Sequence, residues 1–305
     1  MRYYGVQNEV KSYLNRLQSE DGIEVSLGTV KTLNDRVEAL KKSGVWSQYG
    51  LGFNDGDADR YFQRATVRDA IGRFEVCLFV RGMKTLGLWQ NMVSWPMRSY
   101  QNAGTGSTVY SLGGLGVYNG SMVNSPAWGV NGITFNAATV SRIETSYPHN
   151  PYRPQIYCMI VRRGGVNGTT YGLIGSSGTI MNQLRRDGAN RWRGDSIGVS
   201  GTIIYYQNAG GNAAFSDNAL TYVSLHGVSG AFTGTVDGVT WLAPNNGVAG
   251  SPGASNLSIG VAGFNTSPWP SDIVFFSVFE SSDFNIANNV RNLTKRILVS
   301  DLPVP

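Results

Sequence analysis

Charge is scarce in this chain. Only 15% of the 305 residues are Asp, Glu, Lys or Arg, against roughly a quarter in ordinary soluble domains. Histidine and cysteine are rarer, at two each. His149 and His226 leave little room for a histidine-based metal site or a Ser-His-Asp triad. Cys77 and Cys158 cannot build a disulfide framework. Both sit in apolar runs (VCLFV and YCMIV), the setting of a buried free thiol. No apolar run approaches the roughly 18 residues of a membrane helix, so no membrane partner is expected. Lys and Arg never run beyond pairs such as Arg162-Arg163 and Arg185-Arg186. A net charge of +5 spread in this way is no nucleic-acid footprint. The opening MRYYGVQNEVKSYLNR lacks an apolar core and a small-residue cleavage site, so it does not read as a secretory signal.

Glycine is what the chain has in excess, and it is unevenly spread. Residues 1–100 hold 14 Lys/Arg, 11 Asp/Glu and 10 of the 39 Gly. Residues 101–305 hold 11 Lys/Arg, 9 Asp/Glu and 29 Gly, with Lys295 the one lysine and Glu144 and Glu280 the two glutamates. Two regions thus follow different compositional rules. The stretch QNAGTGSTVYSLGGLGVYNGS (101–121) reads as a linker. The expected division is a helical region over 1–100, a linker over 101–124 and a β domain over 125–305.

The first region is helical by period. Val10, Leu14 and Leu17 fall on one helix face, as do Val30, Leu33, Val37 and Leu40 before Ser43-Gly44. A related pattern then recurs. Tyr13-Leu14-Asn15-Arg16 matches Tyr61-Phe62-Gln63-Arg64, and Gly44-Val45-Trp46 matches Gly87-Leu88-Trp89. This spacing predicts a duplicated two-helix unit, each copy ending at a left-handed glycine and burying its Trp. Between the copies, Asp55-Gly56-Asp57-Ala58-Asp59 has calcium-loop spacing. Arg60 and Thr66 stand where an EF-hand needs Gly and Glu, so the run reads as a turn and a helix cap supplied by Asp57 or Asp59.

Past residue 125 the pattern is β. Runs at 132–135, 155–163, 171–176, 190–193, 202–207, 220–228, 231–236, 239–242, 257–261 and 273–279 are strand-like and separated by turn residues. Asp237-Gly238 supplies a hairpin turn. Strands with no helices between them exclude a parallel βαβ sheet and imply an antiparallel sandwich or barrel. The near-continuous QIYCMIV and IVFFSVF runs mark central strands. A helix over about 283–298, capped by Ser282 or Asp283, closes the chain. The fold class is therefore α+β: a duplicated helical unit, then an antiparallel β-sandwich with a C-terminal helix.

The order of pieces in 125–300 resembles a laminin G-like, concanavalin A-type lectin/glucanase sandwich. Those pieces are Trp128–Phe135, the Ile156–Arg163 strand, the Ala231–Trp241 hairpin, Ile259–Gly263, and Asp272–Phe279 followed by a helix. The helical units are similar to segments that precede such sandwiches in tailed-phage virion proteins. The resemblance implies a virion protein of decoration or fibre type. Its expected partners are other virion proteins, further copies of itself and a cell-surface glycan. A carbohydrate-binding module or glycosidase acting on cell-surface polysaccharide is the alternative.

Glycosidases of this fold carry paired carboxylates two residues apart on one strand, whereas Glu144 has no acidic residue within 40 positions. On that ground no catalytic residue is assigned and no enzyme is expected. Sugar sites pair an aromatic platform with a few directional polar groups. The candidates in loops are Trp269, Trp192, Tyr147 and Tyr152, with Arg191 and Arg193 flanking Trp192. Arg193-Gly194-Asp195 reads as a turn. No cofactor is expected and no metal ligand is assigned. Many relatives hold calcium, and Asp187, Asp195, Asp217 and Asp237 could supply oxygens, but the spacing selects none of them.

Overall fold

A computed structural model describes residues 7–149, 153–162, 171–176, 181–186, 192–197, 203–207, 220–228, 231–236, 239–242, 255–261, 269–299 and 301–302. Five helices come first: α1 (Asn8–Ser19), α2 (Leu27–Lys42), α3 (Val45–Gln48), α4 (Gly56–Arg64) and α5 (Ala70–Thr85). Side-chain oxygens fix three of their starts. Ser26 accepts from Thr29 N at 3.1 Å, Asp55 from Asp57 N at 2.9 Å, and Asp69 from Gly72 N at 2.5 Å. The acidic run before α4 is thus a cap, as its sequence suggested, but Asp55 supplies it rather than Asp57 or Asp59.

The duplication is visible in three dimensions. α2 and α5 both have 16 residues, and each ends at a left-handed glycine, Gly44 at φ 75° and Gly87 at φ 70°. Lys41 lies over the Trp46 ring at 5.5 Å, and its counterpart Lys84 lies over Trp89 at 5.4 Å. Arg16 stands over Tyr13 at 5.9 Å and Arg64 over Tyr61 at 6.0 Å. The copies differ in burial: Trp89 is 5% exposed, whereas Trp46 is only half-buried.

The β elements are β1 (Met92–Pro96), β2 (Thr108–Val109), β3 (Gly120–Val123), β4 (Ala127–Trp128), β5 (Ile133–Thr134), β6 (Arg142–His149), β7 (Gln155–Arg162), β8 (Tyr171–Ser176), β9 (Met181–Arg186), β10 (Trp192–Ile197), β11 (Ile203–Gln207), β12 (Leu220–Val228), β13 (Ala231–Val236), β14 (Val239–Leu242), β15 (Ser255–Ile259) and β16 (Asp272–Glu280). The helix α6 (Asn285–Arg296) follows. Among the described residues they form two antiparallel sheets. Sheet A runs β14-β13-β12-β7-β16-β5-β4, with β1 also paired to β16. Sheet B runs β11-β10-β9-β8-β15-β6-β3-β2. The class is α+β, as the composition implied.

The layers explain the two near-continuous apolar runs. In β7, Tyr157, Met159 and Val161 point between the sheets, while Ile156, Cys158 and Ile160 join the helical core. A strand covered on both faces has no wet side and so loses the period-two alternation. β16 divides likewise, Phe276 and Val278 going inward and Phe275 and Phe279 toward the helices. Phe79 of α5 meets Phe275 edge-on at 5.6 Å. α5 is apolar nearly all round because it lies between sheet A and the other helices. α6 packs on the same face, where Tyr222 donates to the Ala287 carbonyl at 2.9 Å. It begins two residues later than expected, with Asp283 accepting from Asn285 N at 3.0 Å.

Several expectations change here. Residues 101–124 are not a bare linker, because β2 and β3 belong to sheet B. Residues 92–96, inside the region read as helical, form a strand of sheet A. Residues 142–149 and 181–186 are strands that the sequence pattern did not reveal. Arg193-Gly194-Asp195 lies within β10, not in a turn. Asp237-Gly238 falls outside the described residues, although the pairing of Val236 with Val239 is hairpin register.

The unequal burial of the two tryptophans sets a test. Trp89→Ala should cost about 3–5 kcal/mol and Trp46→Ala clearly less, read from urea midpoints at unchanged slope. Equal costs would contradict the packing described.

Candidate functional site

Helices cover the outer face of sheet A, so the free broad face of the sandwich is the outer face of sheet B. β6 shows the division. Ile143, Thr145, Tyr147 and His149 are buried, while Glu144, Ser146 and Pro148 are exposed. Register continues across the sheet, with Ser121 opposite Glu144, Glu144 opposite Ser258, and Ser258 opposite Gly175.

Beyond β8 the same sheet gathers a basic and aromatic set. Arg186 is paired with Tyr171 on one side and Trp192 on the other. In the neighbouring row Arg185 is paired with Gly172 and Arg193, and Arg193 with Gln207. Antiparallel partners lie roughly 4.5–5.5 Å apart, but successive residues of a strand alternate faces. The row of Tyr171, Arg186 and Trp192 therefore falls on one face of sheet B and the row of Arg185 and Arg193 on the other, the face opposite that of Leu184, whose partner Ile174 packs between the sheets. Asp195 lies two residues further along β10, opposite Gln183 and Tyr205. Of the residues singled out in the sequence, Trp192 and Arg193 fall in this set, on a strand rather than the expected loop. Arg185-Arg186 was visible as a basic pair but carried no sign of its cross-strand partners. Arg191 and Tyr152 lie outside the described residues, as do Asp187, Asp217 and Asp237.

The other two aromatic candidates are corrected. Trp269 is fully buried between the sheets, its indole N–H donating to the Arg162 carbonyl at 3.2 Å. Tyr147 is 1% exposed and stacks edge-on with Trp95 and Tyr118. Neither presents a ring to a ligand.

Tyr147 instead belongs to a buried polar chain. Its hydroxyl donates to Glu280 Oε1 at 3.0 Å and accepts from Gln155 Nε2 at 2.9 Å. Gln155 Oε1 accepts from Tyr157 at 2.5 Å, and the Tyr157 hydroxyl meets His149 Nε2 at 2.9 Å. Arg153 stands 3.5 Å from Glu280. Burial raises the Tyr147 hydroxyl well above its ordinary range and pushes His149 down to about 4. The chain therefore holds a neutral imidazole and a protonated phenol, closed off from substrate. Among the described residues no three His, Cys, Asp or Glu side chains converge on a point that would hold a metal.

Neither a family model nor a curated protein matches the chain. Solved structures do. A Trypanosoma rangeli sialidase mutant displaying trans-sialidase activity is 14% identical, with a TM-score of 0.51 over 89% of this chain and 40% of that one. Trypanosoma rangeli sialidase in complex with 2,3-difluoro-KDN gives 13% and 0.50 over 68% and 33%. Domain 4 of AbnA, a GH43 extracellular arabinanase from Geobacillus stearothermophilus in complex with arabinotriose, gives 14% and 0.39 over 66% and 87%. The chain thus spans a third to two fifths of the sialidases it matches. The likeness shows a fold shared with part of the sialidases. It also corrects the expectation that the chain is no enzyme. That expectation rested on a missing carboxylate pair, and sialidases work through a tyrosine nucleophile instead.

His149 supplies a pH test. Its folded value lies below its unfolded one, so the stability it contributes is present above pH 6.5 and lost as pH falls toward 4. A drop of about 3 kcal/mol is expected from this group across that window. Glu75, raised by burial to about 7, acts in the opposite sense between 4.5 and 7. Subtracting a His149→Gln profile from the wild-type profile isolates the histidine. Parallel profiles would show that His149 is not held neutral.

Proposed function

We propose that this chain attaches its carrier to acidic cell-surface saccharide through sheet B, and that the carrier is a virion. The observation that carries the reading is the row Arg185–Arg193–Gln207 with the next row on the same outer face, Gln183–Asp195–Tyr205. A guanidinium holds a carboxylate with two parallel hydrogen bonds, which selects acidic sugars. An aromatic ring offers a flat apolar surface to a pyranose face. The sialidase-like fold supports the same class of ligand. The virion setting rests on the low-charge, glycine-rich β region and on the helical units that precede it. Repeated copies on a particle would turn a weak site into firm attachment, because each further contact is made at high effective concentration. The helices support the sandwich by covering sheet A, so contacts to neighbouring virion proteins fall to other surfaces.

Hydrolysis of the bound sugar is the second reading, supported by the sialidase likeness. Both are tested together on a sialylated and a matched desialylated polysaccharide. The full chain should be retained on the sialylated one, and Arg193→Ala or Tyr205→Ala should cut retention about tenfold or more at unchanged circular dichroism. Equal retention on both polysaccharides, or variants that bind like wild type, would overturn the reading. Release of free sugar during the assay would establish hydrolysis.

A further inference from the structure

Both histidines of the chain are buried at one end of the sandwich, one on each face of sheet A. His149 ends β6 and is 3% exposed, and His226, near the end of β12, is 9% exposed. They approach β7 at consecutive residues. The His149 ring reaches Tyr157, which packs between the sheets. His226 is in register with Ile156, which packs beneath the helices.

Hydrogen bonding fixes the His149 tautomer. The Tyr157 hydroxyl gives its proton to Gln155 Oε1, so toward His149 it can only accept. Nε2 therefore carries the imidazole proton, and Nδ1 keeps its lone pair. Nδ1 is shielded from water and has no partner among the described residues. Protonation would make it a buried donor without an acceptor on a charged ring. The charged groups on this side, Glu280 and Arg153, face each other at 3.5 Å, and Glu280 also accepts from Tyr147. Ser255 of β15, opposite His149, is uncharged. His226 repeats the arrangement on the other face of sheet A. Its ring stacks on Phe284 at 5.7 Å, and its shielded Nε2 has no partner among the described residues. Its sheet neighbours Ile156 and Thr233 are uncharged. Asp283 attracts a proton to it, but burial outweighs that attraction and lowers its pKa.

We infer that this end of the sandwich is an acid-operated switch: charging the two buried imidazoles releases the end of β6 and the segment leading from β16 into α6, while the rest of the fold stays closed. The inference is independent of the glycan reading. Contacts that involve no histidine bound the opening. Thr145 Oγ1 donates to the Leu257 carbonyl at 2.8 Å, and Tyr222 holds the Ala287 carbonyl at 2.9 Å. Residues 146–149 lie beyond the first anchor, and residues 281–286 lie between the end of β16 and the second. Both rings are harder to protonate folded than unfolded, so the closed state is favoured above pH 6.5 and loses that advantage as pH falls. With His149 pushed down to about 4, opening should rise about twentyfold between pH 7 and pH 5.

The test is hydrogen exchange of the full chain at pH 7 and pH 5, corrected for the intrinsic rate. Peptides covering 142–149 and 281–287 should lose protection about twentyfold at pH 5, while α2 and α5 keep theirs. His149→Gln retains a donor toward Tyr157 and cannot titrate, so it should abolish the change in 142–149. His226→Phe keeps a ring against Phe284 and should abolish it in 281–287. Nitrogen-15 NMR of the wild type reads both rings without any substitution. His149 should be the Nε2–H tautomer at pH 7 and titrate well below 6.5. Loss of protection spread evenly over α2 and α5, a loss in both variants equal to that of wild type, or a His149 that titrates near 6.5 or carries its proton on Nδ1 would overturn the inference.

Discussion

Sheet A is buried on both faces, and the rest of the structure depends on that. Its central strands β7 and β16 send alternate side chains into two cores, one between the sheets and one beneath the helices. Each fully buried large apolar side chain contributes about 1.5–3 kcal/mol relative to exposure. Ile156, Ile160, Phe275 and Phe279 gain that contribution only while α5 and α6 stay in place. The helical units are therefore a structural layer of the sandwich. Gly72 and Gly82 mark how tightly they fit, since a Cβ at Gly82 would stand 2.6 Å from Leu293 of α6.

This layering decides where function can sit. One face of the sandwich is closed by helices, and the broad face left for a large ligand is the outer side of sheet B. The Arg185 and Arg193 row lies on that side, on strands whose register is fixed by six consecutive pairs between β9 and β10. A rigid sheet holds several weak contacts at fixed spacing, which suits recognition of a repeating polymer.

Much of this architecture is legible in the residues. Lys-x-x-Gly-x-Trp occurs at both helix ends, and the structure gives both copies the same left-handed glycine and the same cation over the ring. QIYCMIV and IVFFSVF lost their alternation because both faces are dry. The residues that misled did so for physical reasons. β6 was hidden because Thr145 and His149, polar residues, occupy its buried positions, where each makes a side-chain hydrogen bond. Trp269 and Tyr147 looked like platforms because polar or proline neighbours surround them, yet each uses its one polar atom to reach a partner inside the core. The Arg185–Arg193 pairing depends on the register of β9 against β10, which no local pattern encodes.

Hydrogen exchange under native conditions tests the double burial of sheet A most directly. Amides of α5 and of β7 and β16 should open with the same free energy and the same dependence on denaturant, as parts of one cooperative unit. Exchange of α5 at markedly lower free energy, with β7 and β16 still fully protected, would contradict the account and make the helices a separable appendage.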